Sequence, residues 1–138
     1  MDPVLALVTG ITLLTVVGIA FGGTFMLRVV AGGQPANTLQ KTMFRAGHAH
    51  AGVLVTLGLV VALLTQAAGV GAAWSITGSV LVLSAAIFVP AGFFLSVLGA
   101  DPAEPNAWIR SVWIGFGVLV VGVVVSGIAT IAAAVSAL

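Results

Sequence analysis

Long apolar stretches alternate with short segments of glycine, proline, asparagine and charge along this chain. Residues 4–27 carry no charge at all, with Asp2-Pro3 before them and Arg28 after. About 20 apolar residues cross a bilayer as one helix, so the first predicted span is 3–30. Asp2 can cap it, and Pro3 stands at the first helical position, where proline is tolerated. Residues 31–37 (Ala-Gly-Gly-Gln-Pro-Ala-Asn) read as a loop, with Gly32 and Gly33 able to end the first helix and Asn37 or Thr38 able to cap the second. The second span is 38–66. It opens on a polar turn containing Gln40, Lys41 and Thr42 and enters lipid near Arg45.

An uncharged Ala/Gly turn over residues 67–74 leads to a third span at 75–98. Pro90 lies inside that span and removes a backbone hydrogen bond, which predicts a kink one turn before it. Phe88, Phe93 and Phe94 surround this point and read as packing, with a gate or ligand wall as the alternative. Residues 99–106 form a loop with two prolines and two acids, and Asn106 can cap a fourth span at 107–135. Trp74, Trp108 and Trp113 fall at span ends, the headgroup level of a bilayer. The expected fold is all-α: a polytopic membrane protein with four transmembrane helices in a bundle of two hairpins, one domain over residues 1–138.

Composition agrees. The chain is 61% hydrophobic and 5% charged, whereas soluble domains carry about 25% charged residues. Its surroundings are therefore read as the lipid bilayer. A net charge of +1 gives no electrostatic basis for nucleic-acid binding. Cysteine is absent, which excludes thiolate chemistry. Met1-Asp2-Pro3 has no basic segment before the apolar run, so that run is read as a retained span.

The basic residues assign orientation. Arg28, Lys41, Arg45 and Arg110 all flank loops 31–37 and 99–106, and none flanks the termini or the middle turn. That bias places both loops in the cytoplasm and both termini outside a bacterial cytoplasmic (inner) membrane. Asp101 and Glu104 share that side. Ion pairs there would fix the third loop over the first, at about 0–1 kcal/mol each.

Arg45-x6-Gly52-Val53-Leu54-Val55 recurs as Arg110-x6-Gly117-Val118-Leu119-Val120. A duplication would make two hairpins related by a pseudo-twofold axis along the membrane normal. His48 would then correspond to Trp113. Gly18, Gly22 and Gly23 in the first span form a small-residue face suited to helix packing, and Gly18 and Gly52 are candidate contacts in a homo-oligomer.

The costly stretch is Arg45-Ala-Gly-His-Ala-His-Ala-Gly52, which holds both histidines of the chain. Ionisable groups at the mouth of an apolar span require partners or a function. At 100° per residue, Lys41, Arg45, His48 and Gly52 share one stripe, while His50 lies nearly opposite. One regular helix therefore cannot direct both imidazoles at one metal ion. One histidine would face the bundle, and the other a second subunit, an interface or headgroups. Gly47 and Gly52 would let a backbone or a flat ligand approach. Three functions fit. His48 and His50 are candidate metal or haem b ligands, with Met26 on the first span as a Met/His partner. Alternatively, His48 and Arg45 donate hydrogen bonds to a quinone, lipid or other small ligand. Third, His48 titrates in a proton or ion path, although the spans contain no acidic relay. A structural role leaves His50 bonding a carbonyl or a hydroxyl such as Thr24, Ser96 or Ser111.

Residues 44–55 (Phe-Arg-Ala-Gly-His-Ala-His-Ala-Gly-Val-Leu-Val) and 90–96 (Pro-Ala-Gly-Phe-Phe-Leu-Ser) resemble a group of small bacterial four-span membrane proteins, a resemblance that implies the fold but no activity. The His-x-His before an apolar run is faintly similar to membrane proteins near haem-copper oxidase subunit I. This chain lacks the other histidine ligands of that family, so the similarity does not imply haem-copper chemistry and leaves a haem or respiratory-chain association as something to test. Nothing resembles a hydrolase triad, a phosphate loop or a zinc protease helix. The expected function is that of a non-enzymatic, oligomeric or accessory membrane subunit with a His/Arg site near the cytoplasmic face. A respiratory-chain or other membrane protein is the expected partner. A haem- or metal-binding redox component and a small channel or transporter are the alternatives.

Overall fold

Asp2 starts the first helix: its carboxylate accepts the Val4 and Leu5 N–H groups at 2.8 and 3.3 Å. In the computed structural model, which describes Met1–Leu138, that helix is α1 (Pro3–Val30), followed by α2 (Thr38–Ala67), α3 (Ala72–Leu95) and α4 (Arg110–Ser136). A 3-10 turn, Ala107–Ile109, leads into α4. All four spans are long and apolar enough to cross a membrane, and they pack together as a four-helix bundle. The left-handed backbone at Gly32 (φ 77°) turns the chain out of α1, and that at Gly69 (φ 71°) turns it out of α2.

Helix α3 begins and ends three residues earlier than the apolar pattern suggests. Its C-terminal neighbours are occupied elsewhere. Asn106 donates its backbone N–H to Ser96 O at 2.8 Å and its Nδ2 to Leu95 O at 3.0 Å, while Gln40 Nε2 donates to Val97 O at 3.1 Å. These bonds draw residues 96–98 out of the helix and into the loop that caps it. Pro90 lies within an unbroken helix and is buried. Two residues before it, Phe88 O accepts Ser111 Oγ from α4 at 2.8 Å. Ser111→Ala should lower stability by about 0.5–1 kcal/mol, the usual worth of an interhelical hydrogen bond in lipid. Reversible unfolding in mixed micelles would measure it, and an unchanged midpoint would show that this bond contributes nothing.

Helix α3 is central, with α2 on one side and α4 on the other. Its seam with α4 is made of glycine. A Cβ on Gly92 would sit 2.6 Å from Val112 N, one on Gly115 2.9 Å from Val89 N, and one on Gly122 2.9 Å from Val82 N. Lipid gives helices no hydrophobic reason to associate, so close backbone approach and its dispersion contacts hold this pair together. Gly78 and Gly92, with the fully buried Ala85 between them, recur every seven residues, as do Gly115 and Gly122 across the seam. Gly58 of α2 instead makes room for a side chain, that of Leu83 in α3, whose Cγ would lie 2.7 Å from an added Cβ.

Helix α1 is peripheral. It buries only Leu5, Thr12, Met26 and Val29, lies along α2, touches α3 and does not reach α4. This overturns the pseudo-twofold arrangement expected from the repeat. Such an axis would map the extensive α2–α3 contact onto an α4–α1 contact, and there is none.

One end of the bundle is tied through amides, not through the ion pairs anticipated for it. Asn37 caps α2 by accepting Gln40 N–H at 2.8 Å, and Gln40 Oε1 accepts Asn37 N–H at 3.0 Å, a reciprocal capping box. The same two side chains hold the loop of residues 99–106. Asn37 Nδ2 donates to Asp101 Oδ1 and Pro102 O, both at 2.8 Å. Gln40 Nε2 donates to Val97 O and Gly99 O, both at 3.1 Å. At the opposite end, Asp2 N–H donates to Gln66 Oε1 at 3.3 Å, joining the start of α1 to the end of α2.

Candidate functional site

The capping box sets where α2 begins, and helical periodicity then places Lys41, Arg45 and His48 on the stripe nearest α1. Arg45 is exposed, and its Nε donates back to Lys41 O at 3.3 Å. One turn deeper, the His48 ring lies over two glycines of α1. A Cβ on Gly22 would be 3.6 Å from His48 Nδ1, and one on Gly23 would be 3.7 Å from Nε2. The glycines thus make a flat seat for an imidazole, which accounts for their place in α1. Gly18, the third member of that face, has open space where its Cβ would be.

His48 is half-buried, and neither of its ring nitrogens meets a hydrogen-bond partner. Nor are they sealed in: the sole buried side-chain nitrogen or oxygen without a partner is Ser79 Oγ. The ring borders a lipid-facing groove of about 550 Å³ between α1 and α2. Gly18, Ile19, Phe21, Phe25 and Phe94 line most of the rest, with Thr15 at the far end. Thr15 Oγ1 is already bonded to Thr12 O at 2.7 Å. The groove therefore offers one free polar group, at one end, and apolar wall elsewhere.

His50 faces the other way, into α3 and α4. Its Nδ1 lies 2.7 Å from Ala46 O. A carbonyl can only accept, so Nδ1 carries the proton, and in the neutral ring Nε2 is left with a free lone pair. Phe93 lies beside the ring at a centroid distance of 5.2 Å, and Phe116 meets it edge-on at 5.8 Å. The hydroxyls considered as its partners are spent on backbone carbonyls: Thr24 on Phe21 O, Ser96 on Phe93 O and Ser111 on Phe88 O.

The structure thus separates the candidate residues. His48 and Arg45 share the α1 side of α2, and His50 lies on the α3–α4 side. Of the two imidazoles, His50 faces the bundle, and His48 lies half-buried at the interface of α1 and α2. No group of three or more His, Cys, Asp or Glu side chains comes together as a metal site. Met26 is buried in an apolar cluster with Val29, Phe44 and Val97. Gly47 does admit a close neighbour, namely Phe94, whose ring would be 2.8 Å from an added Cβ. Phe94 stacks on Phe44 at 5.7 Å, and Phe44 meets Phe25 edge-on at 5.4 Å, so an aromatic row crosses from α3 to α1.

Sequence reasoning missed Phe116 and the seat formed by Gly22 and Gly23. Gly22 is four residues after Gly18, a spacing that marked the face but not its occupant. The chain matches no family model, no curated protein and no solved structure.

Proposed function

We infer that this protein is a non-enzymatic membrane subunit that holds a small amphiphilic ligand in the groove between α1 and α2, with His48 as the hydrogen-bonding group. One observation carries the reading: a half-buried imidazole with no internal partner stands at the polar end of an otherwise apolar groove. A polar group in lipid without a partner is costly, and a ligand acceptor would relieve that cost. Arg45 and Lys41, one and two turns above, lie at headgroup depth of the cytoplasmic leaflet on the orientation their charge assigns. The protein purified from membranes should carry a small molecule detectable by native mass spectrometry. His48→Ala should lose it and His50→Ala should keep it. Equal retention by both variants would remove His48 from the site.

A second reading rests on a different observation. The Nδ1–H of His50 is anchored on a carbonyl, which is how ligating histidines are commonly oriented, leaving Nε2 to bind iron or another metal. The other axial imidazole would have to come from a second copy, since His48 faces away. This reading expects a Soret band that His50→Ala abolishes and His48→Ala spares. Fully folded protein without chromophore or metal after growth with excess haem precursor would sink it.

The oligomer belongs to the same proposal. Gly52 has open space beside it in the single chain, and Gly52→Leu should weaken a homo-oligomer in cross-linking. The site's orientation toward the cytoplasm of a bacterial inner membrane is tested by tag accessibility at either terminus.

A further inference from the structure

We propose that the ligand of the His48 groove is a lipid-soluble quinone: a planar ring bearing carbonyl acceptors, with one long hydrocarbon tail. The proposal rests on the reading of this groove as the binding site and names the chemical class it takes.

Four features select that class. First, the free polar group is an imidazole with no acceptor supplied by the chain, and a ring carbonyl is an uncharged acceptor that needs a single N–H. Second, the groove that His48 borders is lined by three aromatic rings, Phe21, Phe25 and Phe94, and by Gly18, which has open space where its Cβ would be. A flat ring fits between aromatic faces and a side chain that is absent. Third, the groove runs from Phe25 to Thr15, about 15 Å at the rise of an α-helix, with its one other hydroxyl already bonded to Thr12 O. A single apolar tail matches that length and lack of polarity. Its volume of about 550 Å³ suits a small-ligand site, which spans roughly 300–1,000 Å³. Fourth, the groove is open to lipid, so a membrane-dissolved molecule enters sideways without leaving the bilayer.

An anionic phospholipid fits less well. Its phosphate requires several donors, and no charged side chain lines the groove. The nearest guanidinium is a turn higher, exposed, with its Nε turned to Lys41 O. A phospholipid also has two tails for a single channel.

The test uses the full chain, labelled with 15N in its histidine rings, in phosphatidylcholine vesicles titrated with decylubiquinone and with a prenylated naphthoquinone. At least one quinone should shift the His48 ring resonances in a saturable way and leave those of His50 in place. His48→Phe, which removes the donor, should weaken binding about tenfold or more. Gly18→Leu should do the same by filling the groove, and its unchanged His50 resonances would report an intact fold. His48→Gln, which restores an N–H donor, should recover part of the affinity. Equal quinone affinity in wild type and His48→Phe overturns the proposal. If phosphatidylglycerol shifts His48 and the quinones do not, the class is wrong while the groove remains a binding site. If no probe moves His48, the reading of the groove fails with it.

Discussion

Gly115→Leu should unfold or separate α4 from α3, with a loss of about 3 kcal/mol or more, at the upper end of overpacking costs. A Cβ there would lie 2.9 Å from Val89 N and 3.0 Å from Phe88 Cβ. Backbone cannot turn aside as a side-chain tip can, so the helices must move apart along the seam. Movement there propagates to Gly92 and Gly122, whose own close approaches depend on the same separation. A membrane domain with a total stability of roughly 5–15 kcal/mol would lose a large share of it. Gly117→Leu is the matched control, since nothing lies within 4 Å of its Cβ position, and it should change stability by less than about 0.5 kcal/mol. Unfolding of both variants in mixed micelles would settle the comparison. Similar midpoints for Gly115→Leu and Gly117→Leu would mean that the glycine seam is not what joins these helices. Phe116 is the next residue and meets His50 edge-on, so Gly115→Leu should also disturb the His50 ring while leaving the His48 seat nearer to its original form.

The number and limits of the helices were legible because lipid imposes a length and excludes charge, and because caps are local. Asp2, Asn37 and Asn106 all cap as their positions suggest. The end of α3 was not, since it depends on Gln40 and Asn106, which lie far along the chain from Leu95 or close to it only through a loop. Gly22 and Gly23 do pack against α2, through His48, but the tightest glycine contacts, between α3 and α4, went unread. The eye is drawn to Gly18, Gly22 and Gly23, four or fewer residues apart, whereas the tight seam uses a seven-residue spacing on α3 and α4. Apolar periodicity could not rank helix pairs either: in a chain apolar on every face, nothing in the pattern distinguishes a lipid-facing side from a packed one. That is why the peripheral position of α1 was invisible. The opposed directions of His48 and His50 followed from helical geometry alone. What covers each of them did not, because it depends on which helix lies on which side of α2.

Gln40→Leu should lower stability by about 2–4 kcal/mol, the sum of unpaired polar groups left behind. Gln40 is 8% exposed and makes three bonds at once. Its Oε1 accepts Asn37 N–H, and its Nε2 donates to Val97 O and Gly99 O. Leucine keeps the volume and removes all three. Val97 is fully buried, so its carbonyl has little access to water as a substitute, whereas Gly99 is exposed and its carbonyl can be rehydrated. Gln40→Glu separates the contributions. It retains an oxygen for the cap but sets a carboxylate oxygen against the two carbonyls, so it should be at least as destabilised as Gln40→Leu while keeping the capping bond to Asn37 N–H. Amide exchange should quicken at residues 37–40 in Gln40→Leu, and at residues 96–106 in both variants. The consequence reaches the site, because this first turn sets the register in which Lys41, Arg45 and His48 face α1. Loosening it should weaken ligand retention at His48 even though Gln40 does not line that groove. Wild-type stability and exchange in Gln40→Leu would mean that the loop and the start of α2 are held by something other than this amide, and the positioning of His48 would need another cause.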